Sequence, residues 1–432
     1  MTTRRDFLKT VGCLPLAATL TKAAEEISHE AGSGSCLNLR AVCEQGLRER
    51  YRNQPSRCSN GTLTRPVQER LDHELQVIHE LNLDEYFLVL QDLVQYAQNQ
   101  DSLVATLGTA VGSLVSFALG LSPVCPLRHR LLFERFLVPG RQSAPTVSIM
   151  VGQESQEEIV RYARSKYGQV DQESFPFRAF GQKWQTNDTE TLTIDVLRVR
   201  DLSILGKTFR LIQMSGEPTA DISKLPENDP ETLALFQRGD TEDIFQFKSN
   251  GIRSFLKKLQ PERFEDLAAA SALYRPSTLR SGLSDDYVAA RKQRQRAYPN
   301  TDLEEILLES RGILIYDEQV MEIVHRLAGM DYGEGYQLIR AIWKRKQEVI
   351  DEYRARFLAA AGERGVQQQV ADETFRIITR SGIDALYKGR VIVIAHLAYQ
   401  MAYVKSHFPT EFAAACEAVP KMQRPFKPVN PQ

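Results

Sequence analysis

The sequence predicts an α+β chain, a mixed α/β module followed by a larger, mainly helical one. Three observations predict it. Thr146-Val147-Ser148-Ile149-Met150-Val151 and the stretch Thr191 to Val199 alternate as half-buried strands do. Helical periodicity flanks them, from Leu37 to Gln98 and from Gln156 to Tyr167. From Pro230 to Ala418 the helical pattern dominates, with breaks expected at Pro276, Pro299, Gly333 and Gly382.

In chain order, residues 1–24 stand apart. Thr3-Arg4-Arg5-Asp6-Phe7-Leu8-Lys9 precedes an apolar run from Val11 to Leu20 and small residues at Ala23 and Ala24. That order of arginines, short apolar run and small residues is the pattern of a twin-arginine export signal; an amphipathic N-terminal extension is the other reading. Residues 25–36 read as a linker, with Ala31-Gly32-Ser33-Gly34-Ser35 as its flexible part. Leu71, Leu75, Val77, Ile78 and Leu81 then recur at helical steps, whereas Asn53 to Thr64 is polar and reads as a loop. Gly108 to Leu119 has the small, apolar composition of a packed loop entering a helix. Leu131 to Val151 carries a helical stretch, a Pro139-Gly140 turn and the first strand, and Asp171 to Asp188 is irregular. No internal repeat and no transmembrane segment are evident.

The bulk numbers narrow the function. Apolar residues make up 42% and charged residues 25% of 432, the balance of an ordinary globular protein. A net charge of -1 excludes a global basic field, so any polyanion surface must be a local patch. Cys13, Cys36, Cys43, Cys58, Cys125 and Cys416 include no C-x-x-C pair and no nearby histidine cluster, which argues against zinc and against a disulfide framework.

Several stretches, in order, carry a resemblance. They are Glu85-Tyr86-Phe87-Leu88, Gly112-Ser113-Leu114-Val115, Leu131-Leu132-Phe133-Glu134-Arg135-Phe136-Leu137, Arg238-Gly239-Asp240-Thr241 and Ile244-Phe245-Gln246. Further on come Ala272-Leu273-Tyr274-Arg275-Pro276, Tyr316-Asp317-Glu318-Gln319-Val320-Met321, Leu327-Ala328-Gly329, Ala398-Tyr399-Gln400 and His407-Phe408-Pro409-Thr410-Glu411-Phe412. Together they resemble the alpha subunit of bacterial DNA polymerase III, a C-family polymerase, from about Leu37 to Ala418. The resemblance implies a nucleotidyltransferase-like palm remnant over residues 37–215 and a helical fingers domain over 216–418, with a disordered tail at 419–432. It also implies that the thumb, the N-terminal phosphoesterase-like domain and the clamp-binding and other C-terminal partner modules have no counterpart.

Template-directed synthesis needs two closely spaced Mg2+ ions, which require hard oxygen ligands. The family supplies a D-x-D pair on one strand, with both carboxylates on one face, and a third Asp on a neighbouring strand. Ser148 and Met150 stand where the resemblance places the first two, Thr146 replaces another acid, and Asp195 matches the third. Serine is a weak neutral ligand and a thioether is mismatched to Mg2+. Glu154, Glu157, Glu158 and Asp201 are the nearby acids that could substitute.

Nucleotide handling is altered too. In Leu107-Gly108-Thr109-Ala110-Val111-Gly112-Ser113 the resemblance keeps Gly108, Gly112 and Ser113, while Leu107 takes the place of an arginine. The fingers run Asn-Lys-Ser-His of the family reads Tyr387-Lys388-Gly389-Arg390, keeping Lys388. Two basic groups suit phosphates: Arg291, Lys292, Arg294 and Arg296 beside Tyr298, and Arg340, Lys344, Arg345 and Lys346 beside Trp343. The alternative for both is a solvated helix face.

These readings imply a non-catalytic paralogue, a pseudoenzyme of DNA replication or repair that binds single-stranded or primed DNA. The alternatives are an active DNA-directed DNA polymerase with a rebuilt metal site, and an exported scaffold without a nucleic-acid role. No cofactor is expected, Mg2+ excepted if polymerase activity remains. A cytoplasmic location is expected, with periplasmic export through the leader as the alternative.

Overall fold

The computed structural model describes residues 35–139, 145–167, 170–171, 177–180, 193–215, 225–226, 228–292, 298 and 300–421. The leader, most of the linker and the tail beyond 421 lie outside the described residues. The chain divides into two compact units, one running to Pro226 and resuming at Tyr403, the other spanning Glu227–Ala402.

The first unit begins with α1 (Ser35–Arg50), which starts within the linker expected at 25–36, followed by α2 (Arg65–Glu80) and α3 (Asp84–Asn99). Pro66 sits in the first turn of α2, where its missing N–H costs nothing. Val67, Leu71, Leu75 and Ile78 form the buried stripe of α2, and Phe87, Leu90 and Val94 that of α3. Both pack in one core with Leu39, Val42 and Leu47 of α1. Gly46 lets α1 come close to the backbone at Ala118, because a Cβ there would lie 2.2 Å from the Ala118 carbonyl oxygen.

The segment expected to be a plain loop at Asn53 to Thr64 contains a hairpin, β1 (Cys58–Ser59) against β2 (Thr62–Leu63). Asn60 and Gly61 both have positive φ, 51° and 76°. That is the type I′ geometry an Asn-Gly pair favours, so the turn has a local cause.

The main sheet holds β3 (Val104–Leu107), β4 (Thr146–Val151), β5 (Val170–Asp171), β6 (Phe177–Phe180) and β7 (Thr193–Arg198), in the order β3-β4-β7-β6-β5. In this sheet β4 and β7 pair in parallel, which demands a crossover, and α5 (Gln156–Tyr167) lies within it. Val147, Ile149 and Val151 join Ile194 and Val196 in the core. Alternation then sends Ser148, Met150 and Asp195 to the opposite face. Two expectations are corrected here: β5 and β6 occupy part of the irregular stretch from 171 to 188, and the helical stretch after Leu131 is a single 3-10 turn, Phe133–Arg135. β3 lies just ahead of the expected loop, where the sequence pattern marks no element.

After the short α4 (Leu114–Ala118), the unit is completed by α6 (Arg200–Met214) and the terminal α18 (Pro409–Ala418), which pack together. Arg200 Nη2 donates to the Cys416 carbonyl at 2.9 Å and the Val419 carbonyl at 3.1 Å. This packing places α18 in the first unit, whereas the sequence pattern carries the helical half to 418.

The second unit is helical throughout its described residues: α7 (Pro230–Arg238), α8 (Asn250–Leu259), α9 (Phe264–Leu273), α10 (Pro276–Ser281), α11 (Leu283–Lys292) and α12 (Thr301–Leu307) come first. Then follow α13 (Asp317–Ala328), α14 (Tyr332–Trp343), α15 (Gln347–Glu363), α16 (Gln368–Gly382) and α17 (Lys388–His407), whose residues from Tyr403 on belong to the first unit. Asp229 caps α7 by accepting from the Thr232 N–H at 2.8 Å, and Gly239, at φ 64°, ends it. Pro276 opens α10 and Gly382 closes α16, as expected, but Gly333 lies inside α14. The break there falls at Gly329, in left-handed conformation, before the capping box of Asp331 and Glu334. Pro299 lies outside the described residues. Among them, no helix is long and apolar enough to cross a membrane.

Candidate functional site

The β-sheet brings two of the sequence-derived metal positions, Ser148 and Asp195, into one row. Leu107 of β3 pairs with Ser148 of β4, Ser148 with Asp195 of β7, and Asp195 with Arg178 of β6. The Ser148 hydroxyl donates to Asp195 Oδ2 at 3.4 Å, a long and weak bond. Asp195 is buried, and Met150, between Ala105 and Leu197 in register, is wholly buried. A carboxylate already accepting a hydroxyl, next to a buried thioether, does not fit a pair of Mg2+ ions, which need several oxygen donors converging from placed side chains.

The other acids are elsewhere. Glu154 is exposed in the turn after β4 and accepts from the Ser203 hydroxyl at 2.7 Å. Glu157 and Glu158 are exposed on the first turn of α5, and Asp201 lies in the first turn of α6. Among the described residues no three His, Cys, Asp or Glu side chains come together as a metal-holding group.

The glycine-rich loop leaves the end of β3. Gly108 has φ 108° and ψ -163°, a conformation suited to glycine, and a 3-10 turn from Thr109 to Gly112 follows. Ser113 is wholly buried and directed inward. Its hydroxyl donates to Glu74 Oε2 at 2.7 Å, and the N–H groups of Leu114 and Val115 donate to the same carboxylate at 2.9 and 3.1 Å. Arg70 neutralises it, with Nε 2.6 Å from Glu74 Oε1, while Arg70 Nη2 donates to the Gly112 carbonyl at 2.9 Å and the Leu131 carbonyl at 3.2 Å. Sequence reasoning missed Glu74 and Arg70. The available signal was an acid at a core position: Glu74 lies on the buried stripe of α2, three residues after Leu71.

Lys388, the retained fingers lysine, is buried. Its ammonium lies 2.6 Å from Glu309 Oε2 and 5.8 Å from the Tyr316 ring, and its backbone N–H donates to Glu318 Oε2 at 2.9 Å. Nearby, burial lowers both the Arg275 and Arg390 guanidinium pKa values, and Arg275 donates to the backbone carbonyls of Ala272 and Asp384.

The two basic groups differ. Arg291 of α11 is paired with Glu262 at 2.7 Å, and Lys292 ends that helix. Arg294 and Arg296 lie outside the described residues. Arg340, Lys344, Arg345 and Lys346 are all exposed, the last three in the turn between α14 and α15. No carboxylate lies within ion-pair distance of these four among the described residues; the Arg340 guanidinium stands 5.9 Å from the Tyr336 ring. Arg345 holds φ 51°, which turns the chain there. By contrast, Arg311 is locked to the buried Asp266 through Nε at 2.8 Å and Nη2 at 2.7 Å.

A mixed sheet carrying Ser148 beside Asp195, joined to a helical unit, is the palm-and-fingers class of architecture. Comparison with known families agrees. The bacterial DNA polymerase III alpha NTPase domain matches residues 37–239, and the bacterial DNA polymerase III alpha subunit finger domain matches residues 201–365. The chain belongs to the DNA polymerase III alpha-subunit family. It is similar to the DNA polymerase III subunit alpha of Staphylococcus epidermidis, at 28% identity over 80% of this chain and 42% of that protein. The proteins of the same description from Halalkalibacterium halodurans and Aquifex aeolicus are each 26% identical over 87% of this chain, and 42% and 43% of their own lengths. The chain therefore spans less than half the length of these curated relatives.

Proposed function

We propose that this chain is a non-catalytic, nucleic-acid-binding member of the family, acting on single-stranded or primed DNA in replication or repair. The observation that carries the reading is the Ser148–Asp195 pair, with Met150 buried beside it. One carboxylate cannot neutralise two dications held a few ångströms apart, so the in-line transfer of a nucleotide loses its electrostatic support. Binding rests on the turn at Lys344, Arg345 and Lys346 with Arg340. Four exposed cations without carboxylate partners among the described residues form a local positive patch on a chain of net charge -1. Mg2+ has no role in this reading, and the site of action is the cytoplasm, where the polynucleotide is.

Two assays test it. Primer extension in Mg2+ is expected to give no incorporation; extension that disappears on Asp195→Ala would overturn the proposal. Fluorescence anisotropy with single-stranded and primed DNA is expected to show binding that weakens with salt. Changing Lys344, Arg345 and Lys346 together to Gln should lower the slope of log affinity against log salt by about 0.7 for each phosphate no longer neutralised. Fractionation of a C-terminally tagged protein checks the location, and recovery in the periplasm would contradict it.

A further inference from the structure

Beside the cationic turn, α14, α15 and α16 border a cleft of about 410 Å³. Ile350 and Phe375 form its floor, and Ile383, 40% exposed, stands at its edge. Three arginines line it as well, in unequal states. Arg354 is held by Asp372 at 2.6 Å and Arg376 by Glu373 at 3.5 Å, whereas Arg345 has no carboxylate partner among the described residues. Asp351 adds one carboxylate to the lining, so the positive charge lies on the side of the turn, from Arg345 into Lys344 and Lys346.

We infer that this cleft receives one unstacked base of a single-stranded nucleic acid, with the flanking phosphates on Arg345, Lys344 and Lys346. This rests on the nucleic-acid reading above and names the form of ligand. The apolar floor and Ile383 suit the flat face of a base, which gains by leaving water. A paired base is stacked within its duplex and cannot enter a concave site, so the fit selects single strands. Polar groups converge on the same cleft. Asp351, which accepts from the Gln347 amide at 2.8 Å, borders it and offers an acceptor to a base edge. The already neutralised lip, with Arg354 and Arg376, leaves the backbone one favourable side, so the strand follows the turn.

The test is anisotropy of the full chain with oligothymidylate and with an oligonucleotide of equal length made of abasic sugars. The abasic strand is expected to bind about tenfold more weakly, the scale set by one stacked base. Thr379→Phe fills the cleft without changing charge and is expected to abolish that preference while leaving abasic affinity within about twofold, since phosphate contacts supply it. Ile383→Ser, at an exposed position, gives the same readout should the first variant fail to fold. Equal affinity of the parent for both strands would overturn the cleft assignment and leave nucleic-acid binding standing. A base preference undiminished in the variants would place the base elsewhere and also overturn it. Polyglutamate that competes as well as oligothymidylate would assign the cleft to acidic chains instead, and absence of binding to either strand would remove both readings.

Discussion

Ser113 donates its hydroxyl to Glu74, and that carboxylate also gathers the N–H groups of Leu114 and Val115. An internal anion thus satisfies backbone donors at the start of α4. Gly112 and Ser113 hold the loop in place through α2, leaving Gly108 as the part of the glycine run with open space around it.

Removing that anion should destabilise the first unit. Glu74→Ala leaves two N–H groups without their acceptor and Arg70 with only its carbonyl partners, a loss of roughly 3 kcal/mol. Chemical denaturation should show the midpoint falling without a large change in slope. Glu74→Gln, which keeps part of the hydrogen bonding, should cost less.

The metal row makes a prediction about charge. Ser148→Asp places a second carboxylate beside Asp195 in register, and like charges so placed across a strand pair destabilise it. The variant should therefore melt below the parent in chelator and recover when millimolar Mn2+ is added. The parent should show no such metal-dependent recovery. Calorimetry in the two conditions measures both.

Lys388→Met separates a structural lysine from a nucleotide ligand. Its partner Glu309 is partly exposed, so the cost should be roughly 2–3 kcal/mol, below the figure for a fully buried pair. Adding Glu309→Gln should restore part of that stability, and DNA affinity should stay within about twofold if phosphate contacts supply it. A thermal melt and an anisotropy titration decide the matter.

The second unit should show an acid limb set by Asp266. Burial alone would raise this carboxyl; the two bonds from Arg311, the Glu262 backbone N–H at 3.0 Å and Arg263 outweigh it and hold it below the usual carboxylate range. A lowered folded pKa means the stabilisation is complete above the unfolded value of about 3.9 and is lost as pH falls through the folded value. Asp266→Asn should remove that share at neutral pH and flatten the decline below about pH 4. Denaturant midpoints measured from pH 7 down to pH 2 provide the comparison.

Much of the framework was legible because periodicity is a local property. Leu71, Leu75, Val77 and Ile78 lie on α2 as helical steps put them, and the strands at 146–151 and 193–198 lie within the stretches that read as strands. The residues that escaped depend on partners far along the chain. β3 is too short to show alternation and is defined by its pairing, as of Leu107 with Ser148, and Glu74 acquires its role only from Ser113, 39 residues later. Asn60-Gly61 is different: its hairpin was written in two adjacent residues, but β1 and β2 are too short for periodicity to register. In the candidate site, the sequence located Ser148, Met150 and Asp195, yet only register could disclose that Ser148 bonds to Asp195. For the basic positions, sequence could not say that Arg291 is paired with Glu262, 29 residues away, whereas Arg345 has no carboxylate partner among the described residues.

The grip of Arg200 on Cys416 and Val419 governs how the protein can be dissected. A fragment ending near Pro226 would keep α6 but lose the helix that covers it, so insolubility after such a cut would report a bared flank rather than an inherently unstable sheet. Deleting 227–402 and rejoining the flanks with a flexible tether keeps both halves of that clasp, and is the sounder route to isolating the palm.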